Sequence, residues 1–190
     1  MFSHKKKYYL IVESIKDINL NNIKKRNKFI VIYRNNENNE KFDQLLKFRN
    51  ICKRKNIYFY IANNFILAKA LKADGFYISA YNHKFKKPFL NNTKFKIIGS
   101  AHNVNEIRAK KLQGCSIIIF SRLFKTSYQH KKGYLGIIRY NLMANSFRNQ
   151  LIPLGGIKIS NLNKLKNVKC DAFTIFSEVK KKPAIIDRLF

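Results

Sequence analysis

The stretch that decides the fold is Gln150–Ser160, Gln-Leu-Ile-Pro-Leu-Gly-Gly-Ile-Lys-Ile-Ser. Its mostly apolar first part leads into a glycine pair, and Ser160 then caps a predicted helix over residues 161–166. A second apolar strand over residues 171–177 follows within one helix length. Two strands joined by a helix of this size are typical of a parallel βαβ unit. Because glycine leaves the backbone uncovered at the end of the strand, the stretch predicts a phosphate-binding turn.

The same alternation of strand and helix recurs along the rest of the chain. Before the two strands just described, the predicted strands are Tyr8–Glu13, Phe29–Arg34, Tyr58–Ala62, Phe76–Ser79, Phe95–Ala101 and Ser116–Phe120. Eight such alternations predict an α/β protein closed into a compact (β/α)8 barrel with reduced loops. Residues 81–94 are irregular and basic, so we expect the fourth helix to be degenerate. The alternative is an open doubly wound sheet, which needs a glycine-rich first βα turn that residues 14–17 do not provide.

The predicted helices follow from apolar residues that recur every three to four positions. They are Ile15–Arg26, Glu40–Lys55, Phe65–Lys72, Val104–Gln113 and Ile137–Phe147, with a short helix over residues 183–190. In the helix 104–113 we expect Val104, Ile107 and Leu112 to face the core. On its outer face we expect Glu106 and Lys110 to form a pair.

The composition indicates one basic globular domain over residues 1–190. The chain has 39 Lys and Arg residues against 10 Asp and Glu residues, for a formal charge of +29. Such a charge is typical of proteins that bind nucleic acids or other anions. The basic residues are scattered over every predicted helix, however, and abundant Lys, Asn and Ile together are typical of A- and T-rich codons. We therefore favour a small-ligand protein over a nucleic-acid binder.

The cysteines and the apolar runs of the sequence indicate the cellular compartment. Cys52, Cys115 and Cys170 lie far apart in the sequence and predict neither a disulfide framework nor a zinc site. No apolar run approaches the roughly 20 residues of a membrane span. These features predict a cytoplasmic protein.

A series of short motifs occurs in a characteristic order. They are AKALKADGFYI at residues 68–78, IIGSAHN at 97–103, FKT at 124–126, GYLG at 133–136, PLGGI at 153–157 and DAFTIFS at 171–177. In order and spacing this series resembles the thiamine phosphate synthase/TenI family, from about Tyr8 to Val179. The resemblance implies a TIM barrel that acts in thiamine biosynthesis. It further implies a transferase that joins hydroxymethylpyrimidine diphosphate to thiazole phosphate and releases pyrophosphate.

The resemblance also assigns roles to individual residues. It implies that Arg34 contacts the diphosphate and that Ser100 is a second catalytic residue. The implied substrate-binding positions, including the thiazole-phosphate cradle, are Thr126, Lys131, Gly155, Gly156 and Ser177. The expected partners are therefore small phosphorylated ligands.

The cofactor that the resemblance implies is Mg²⁺. Its two carboxylate ligands fall on Asn63 and Asn82, which makes the metal site an eroded one, because amide oxygens lack the negative charge of carboxylates. A catalytically degenerate phosphate-binding barrel is therefore an alternative. A further alternative is the thiazole tautomerase branch, which works without Mg²⁺, but its catalytic His falls in the turn 121–124, which contains none.

Some polar residues have a structural interpretation beside the chemical one. His102 has the chemistry of a general base, yet its position favours a role in starting the next helix. Capping of the following helix is sufficient to explain Asn63 and Asn64. Arg34 lies at the carboxyl end of a strand, where functional groups of such barrels gather, and there we favour a functional role.

Overall fold

A computed structural model describes residues 7–23, 28–35, 37, 40–86, 94–126, 133–147 and 150–176. Its sheet consists of parallel strands, which we number in chain order. They are β1 Lys7–Val12, β2 Phe29–Tyr33, β3 Tyr58–Ala62, β4 Gly75–Ile78, β5 Lys96–Ala101, β6 Ile117–Ser121, β7 Leu151–Leu154 and β8 Ala172–Ile175. Each predicted strand is confirmed, with ends that differ by at most two residues.

The sheet closes into a barrel in the strand order β1 to β8. Closure occurs where β1 pairs with β8, in a register that runs from Lys7 beside Ala172 to Leu10 beside Ile175. The β7–β8 pairing is short and aligns Leu154 with Thr174. The predicted α/β (β/α)8 barrel is therefore confirmed, and the open-sheet alternative is wrong.

Four α-helices pack around the described barrel. They are α1 Phe42–Arg54, α2 Phe65–Ala70, α3 Val104–Leu112 and α4 Gly136–Ser146. Residues 81–86 form no helix, and residues 87–93 of the segment expected to replace the fourth helix lie outside the described residues. The predicted helix over 183–190 lies outside the described residues. No helix in the described part of the chain is long and apolar enough to cross a bilayer, and the three cysteines are free and buried.

The predicted helix Ile15–Arg26 is wrong over its described part. Short 3-10 turns, Ile15–Asp17 and Leu20–Asn22, take its place. The Asp17 carboxylate accepts a hydrogen bond from the Ser14 amide at 2.9 Å, and Asn19 Oδ1 accepts one from the Asn21 amide at 2.9 Å. Such local side-chain bonds offer the backbone an alternative to the α-helix.

The predicted helix over residues 161–166 is present, but it is a 3-10 helix and its predicted cap is wrong. Residues Ile159–Asn167 form a 3-10 helix, and its N-cap is Lys158 rather than Ser160. Asn161 sets this start, because its Oδ1 accepts a hydrogen bond from the Lys158 amide at 2.8 Å. Its Nδ2 donates to the Gly156 carbonyl at 2.7 Å, which ties the helix to the glycine turn.

The two faces of the sheet form separate cores. The outer core lies between the strands and the helices, and includes Leu10 and Val31 with Phe48 of α1. The inner core fills the barrel and consists mainly of Tyr9, Ile11, Ile30, Ile32, Tyr60, Tyr77, Ile98, Ile119 and Ile152. Side chains alternate along a strand, and for β2, β4, β5 and β6 the next inward positions toward the carboxyl ends are polar. They are Arg34, Ser79, Ser100 and Ser121, and they place the polar end of the barrel at the mouth where the strands end.

Helix α3 presents a different face from the predicted one. Leu112, expected inside, is 78% exposed, whereas Lys110, expected on the outside with Glu106, is fully buried. Ile107 is buried as predicted. A charged side chain thus occupies a core position.

A buried ion pair fixes α1 to the start of β4. Arg49 Nη2 lies 2.8 Å from Asp74 Oδ1 and also donates to the Lys72 carbonyl at 3.0 Å. The other Asp74 oxygen accepts a hydrogen bond from the Phe59 amide of β3 at 2.8 Å. One carboxylate therefore joins a helix and a neighbouring strand.

We expect Asp74→Ala to lower the free energy of unfolding by about 2–3 kcal/mol, somewhat less than the roughly 3–5 kcal/mol for a fully buried pair. The substitution leaves the Arg49 guanidinium without its carboxylate and the Phe59 amide without its acceptor. Urea unfolding measures the loss. Asp43→Ala, at an exposed position of α1, is the matched control and should change stability much less. Equal losses in the two variants would contradict the assigned role of the ion pair.

Candidate active site

A cavity of about 520 Å³ opens at the carboxyl ends of the strands. Among the residues predicted from the sequence, it is lined by Arg34, Ser100, Thr126, Gly155 and Gly156. These residues come from segments that are far apart in the chain, and barrel closure brings them together. Lys131 and Ser177 lie outside the described residues.

Arg34 follows β2 and is held from several sides. Its amide donates to the Val12 carbonyl at 2.8 Å, which extends the β1–β2 pairing to the mouth of the barrel. Its guanidinium lies 3.6 Å from the Glu13 carboxylate and 4.7 Å from the centre of the Phe176 ring. Within the described structure, the buried Arg34 Nε has no hydrogen-bond partner. A buried donor without a partner marks a place where an anion gains a bond at little cost.

Tyr77 links Arg34 to Ser100 inside the barrel. Burial raises the pKa of the Tyr77 phenol, while hydrogen bonding with Ser100 and the nearby Arg34 charge lower it in part. Since the net shift is upward, Tyr77 stays neutral at physiological pH and retains its hydroxyl proton. Ser100 is itself buried. The three side chains therefore form one hydrogen-bonded group in the cavity wall.

The glycine turn follows β7 and forms another part of the wall. Gly155 and Gly156 have φ values of 101° and 69°, a region that L-residues with a Cβ rarely adopt. A Cβ on Gly156 would lie 2.5 Å from the Lys125 carbonyl and 2.6 Å from the Phe124 carbonyl. Close contact with the β6–α4 loop is thus sufficient to explain glycine at this position, in addition to any role in ligand binding.

Sequence reasoning missed Arg122, which lies opposite the glycine turn. Its Nη1 donates to Thr126 Oγ1 at 3.0 Å, and a Cβ on Gly155 would lie 3.0 Å from its Cγ. Both Arg122 and Thr126 line the cavity. The sequence feature that could have identified Arg122 is its position, since it comes directly after a barrel strand, as Arg34 does.

The interpretation of His102 as a helix start is incomplete. Its amide does donate to the Glu106 carboxylate at 2.8 Å, although Asn103 is the residue that caps α3. The ring lies in the cavity wall, with Nδ1 2.6 Å from Ser121 Oγ. The inward alternation along β6 predicts Ser121 at the mouth, but no local pattern predicts its pairing with His102.

Asn63 and Asn82 belong to a closed amide network just behind the cavity wall. Asn63 Oδ1 accepts hydrogen bonds from the Ser79 amide at 3.0 Å and from Asn82 Nδ2 at 3.2 Å. Asn63 Nδ2 donates to Ser79 Oγ at 2.7 Å, and Asn82 Oδ1 accepts from the Lys84 amide at 3.0 Å. Only Asn64 caps α2, through the Leu67 amide at 3.0 Å. The capping interpretation therefore holds for Asn64 and is wrong for Asn63.

These residues do not fit a Mg²⁺ site. Mg²⁺ requires oxygen ligands, usually with at least one carboxylate. Both amide oxygens at the expected positions already accept hydrogen bonds from the protein. The described residues contain no group of three His, Cys, Asp or Glu side chains suited to a metal ion.

Lys110 of α3 anchors the segment that follows β4. Its Nζ donates to the Asn82 carbonyl at 2.7 Å and to Gln113 Oε1 at 2.8 Å. Gln113 Nε2 in turn donates to the Phe85 carbonyl at 2.8 Å. Burial lowers the pKa of Lys110 from 10.5 to about 8, against smaller upward effects of Cys115 and Glu106. The clamp holds the backbone of Asn82, and thereby the amide network, in place.

Comparison with known proteins gives a consistent result. A family model described as thiamine monophosphate synthase matches residues 9–179. A thiamine-phosphate synthase of Fusobacterium nucleatum is 28% identical over 149 residues, which are 76% of this chain and 72% of that protein. A thiamine-phosphate synthase of Prochlorococcus marinus strain AS9601 is 28% identical over 137 residues, 72% of this chain but only 39% of that protein.

A solved structure supports the same fold. The thiamine phosphate pyrophosphorylase from Pyrococcus furiosus superposes with a TM-score of 0.70 and covers 98% of both chains. The sequences are 15% identical, so this likeness concerns the fold alone.

We expect Gly156→Ala to destabilise the protein more than Gly136→Ala does. Both glycines have positive φ, and a Cβ there costs roughly 1–2 kcal/mol. Only at Gly156 would the new methyl also collide with backbone carbonyls, which adds about 1–3 kcal/mol; at Gly136 it would meet nothing within 4 Å. Urea unfolding of the two variants measures the difference. Equal destabilisation would contradict the packing of the glycine turn against the β6–α4 loop.

We expect the stability of the protein, relative to Lys110→Met, to rise with pH between about 8 and 10.5. Over this range Lys110 is deprotonated in the folded state and still protonated in the unfolded chain, so unfolding takes up a proton. The buried tyrosines titrate in both proteins and cancel in the comparison. Urea unfolding of both proteins at several pH values from 7 to above 9 tests this, and a pH-independent difference would contradict the burial of Lys110.

Proposed function

Because the chain belongs to the thiamine monophosphate synthase family, as the match over residues 9–179 shows, we propose that it is a thiamine phosphate synthase-like transferase. In this reaction the thiazole nitrogen bonds to the methylene carbon of hydroxymethylpyrimidine diphosphate. The bond between that carbon and the diphosphate oxygen breaks, and its electrons leave with pyrophosphate. The product is thiamine phosphate.

The observation that carries the proposal is the convergence of Arg34, Ser100, Thr126, Gly155 and Gly156 on one cavity. The family motifs assign these residues to the two phosphorylated substrates, and they occur in separate segments of the chain. Their assembly around one space is what a reaction between two substrates needs, because catalysis of this kind depends on positioning and electrostatic stabilisation.

In the proposed arrangement the two ends of the cavity bind different groups. The Gly155–Gly156 turn and Thr126 bind the thiazole phosphate. Arg34 binds the diphosphate and stabilises its negative charge as the carbon–oxygen bond breaks. Ser100 and Tyr77 orient the pyrimidine between them.

A second candidate is a phosphate-binding barrel of the same family that does not catalyse the reaction. The amide network of Asn63 and Asn82 favours it, since these residues stand where the family resemblance places carboxylates. Both candidate functions require binding of the phosphorylated ligand, and only the first requires formation of thiamine phosphate.

We expect the chain, given hydroxymethylpyrimidine diphosphate and thiazole phosphate, to form thiamine phosphate, measured by oxidation to its fluorescent thiochrome derivative. Arg34→Gln should lower kcat/KM by about a hundredfold, because it removes a cation from the departing diphosphate. Arg139→Gln, which removes the same charge at an exposed position of α4, is the control and should change it little. Thiazole phosphate binding without product would support the second candidate. Neither binding nor product would contradict both.

A further inference from the structure

The cavity wall carries cations and, in the part of the chain that the structure describes, no carboxylate. Arg34 and Arg122 line it, and none of its other described residues is an Asp, Glu or Lys. The Glu13 carboxylate lies 3.6 Å from Arg34 but is not among the residues that line the cavity. An anion in this cavity therefore meets guanidinium groups directly, whereas a divalent cation would meet positive charge.

The two arginines stand on opposite sides of the mouth. Arg34 follows β2 and Arg122 follows β6, and these strands are four apart in the closed ring of eight. Both side chains are already held, Arg34 by Glu13 and the Phe176 ring, and Arg122 by Thr126. Held guanidinium groups lose less conformational entropy when they bind a ligand than free ones do.

The expected metal position offers no competing site. Asn63 Oδ1 already accepts two hydrogen bonds, and Asn63 Nδ2 donates to Ser79 Oγ. Lys110 adds a buried ammonium group that holds the Asn82 carbonyl at 2.7 Å. A divalent cation at this place would have to break the network and approach a cation, without a negative charge in return.

We propose that this cavity binds a diphosphate-type anion directly between Arg34 and Arg122, without a divalent cation. The proposal rests on the proposed function for the nature of the ligand. A diphosphate presents a phosphoryl group at each end, and each group matches the planar fork of a guanidinium. In this chain the second arginine supplies the positive charge that a metal ion would otherwise provide.

Isothermal titration of the full chain with inorganic pyrophosphate tests the proposal. The buffers contain about 0.15 M salt to screen the surface charge, and either EDTA or Mg²⁺. We expect one saturable site per chain in EDTA, with an affinity that is the same within about a factor of three, or weaker, when Mg²⁺ is present.

Variants locate the site. Arg122→Gln should weaken pyrophosphate binding in EDTA by about tenfold to a hundredfold, the usual effect of losing a hydrogen bond between charged groups. Arg122→Lys should give an intermediate loss, because it keeps the charge without the fork. Lys125→Gln is the matched control, since it removes one charge from an exposed position on the same loop. Circular dichroism of each variant establishes that it is folded.

Three results would overturn the proposal. Binding that requires Mg²⁺ would do so and leave the proposed function standing. Binding at many sites, weakened equally by Arg122→Gln and Lys125→Gln, would show attraction by surface charge alone. Pyrophosphate binding in neither buffer would also overturn it, and thiamine phosphate formation would then decide separately on the proposed function.

Discussion

The pairing of β1 with β8 is the constraint on which the rest of the structure depends. It closes the sheet, so that every strand is paired on both sides and the carboxyl ends of all strands meet in one ring. Closure also separates an inner apolar core from an outer one. Polar residues such as Arg34 and Ser100 follow the inward-facing apolar residues at the ends of the strands. They therefore lie at the mouth of the barrel. The cavity is therefore a consequence of closure.

The second constraint is the clamp formed by Lys110 and Gln113. After β4 the chain continues as an irregular segment over residues 79–86. Hydrogen bonds from Lys110 and Gln113 to the carbonyls of Asn82 and Phe85 satisfy backbone groups that have no partner within a helix there. The buried ammonium costs desolvation energy, which its lowered pKa reflects. The same clamp holds the amide network of Asn63 and Asn82.

Much of the fold was predictable, because continuous apolar runs indicate buried strands and apolar residues at regular spacing indicate helices. The strand Tyr58–Ala62 matches its prediction at both ends. The failures occur where side chains bond to nearby backbone, as Asp17, Asn19 and Asn161 do, since such bonds override helix periodicity. The inversion of Leu112 and Lys110 has another cause: the buried position needs a long donor that reaches Asn82, and this need comes from a segment 28 residues away.

The candidate site was predictable in part for the same reason. Motifs at strand ends identify Arg34, Ser100 and the glycine pair, because each motif is local in sequence. The pairing of His102 with Ser121 and the contact of Arg122 with Thr126 and Gly155 depend on how neighbouring loops meet, which no local pattern encodes. The amide network is an intermediate case: the sequence shows the Asn residues, and only the structure shows that their oxygens already have partners.

The most direct test of the whole account is a crystal structure of the chain with thiamine phosphate bound. We expect the phosphate against the Gly155–Gly156 turn, within hydrogen-bond distance of Thr126, and the pyrimidine ring near Tyr77 and Arg34. Thiamine phosphate bound only outside the mouth of the barrel, or a cavity that remains without ligand at saturating concentration, would contradict it.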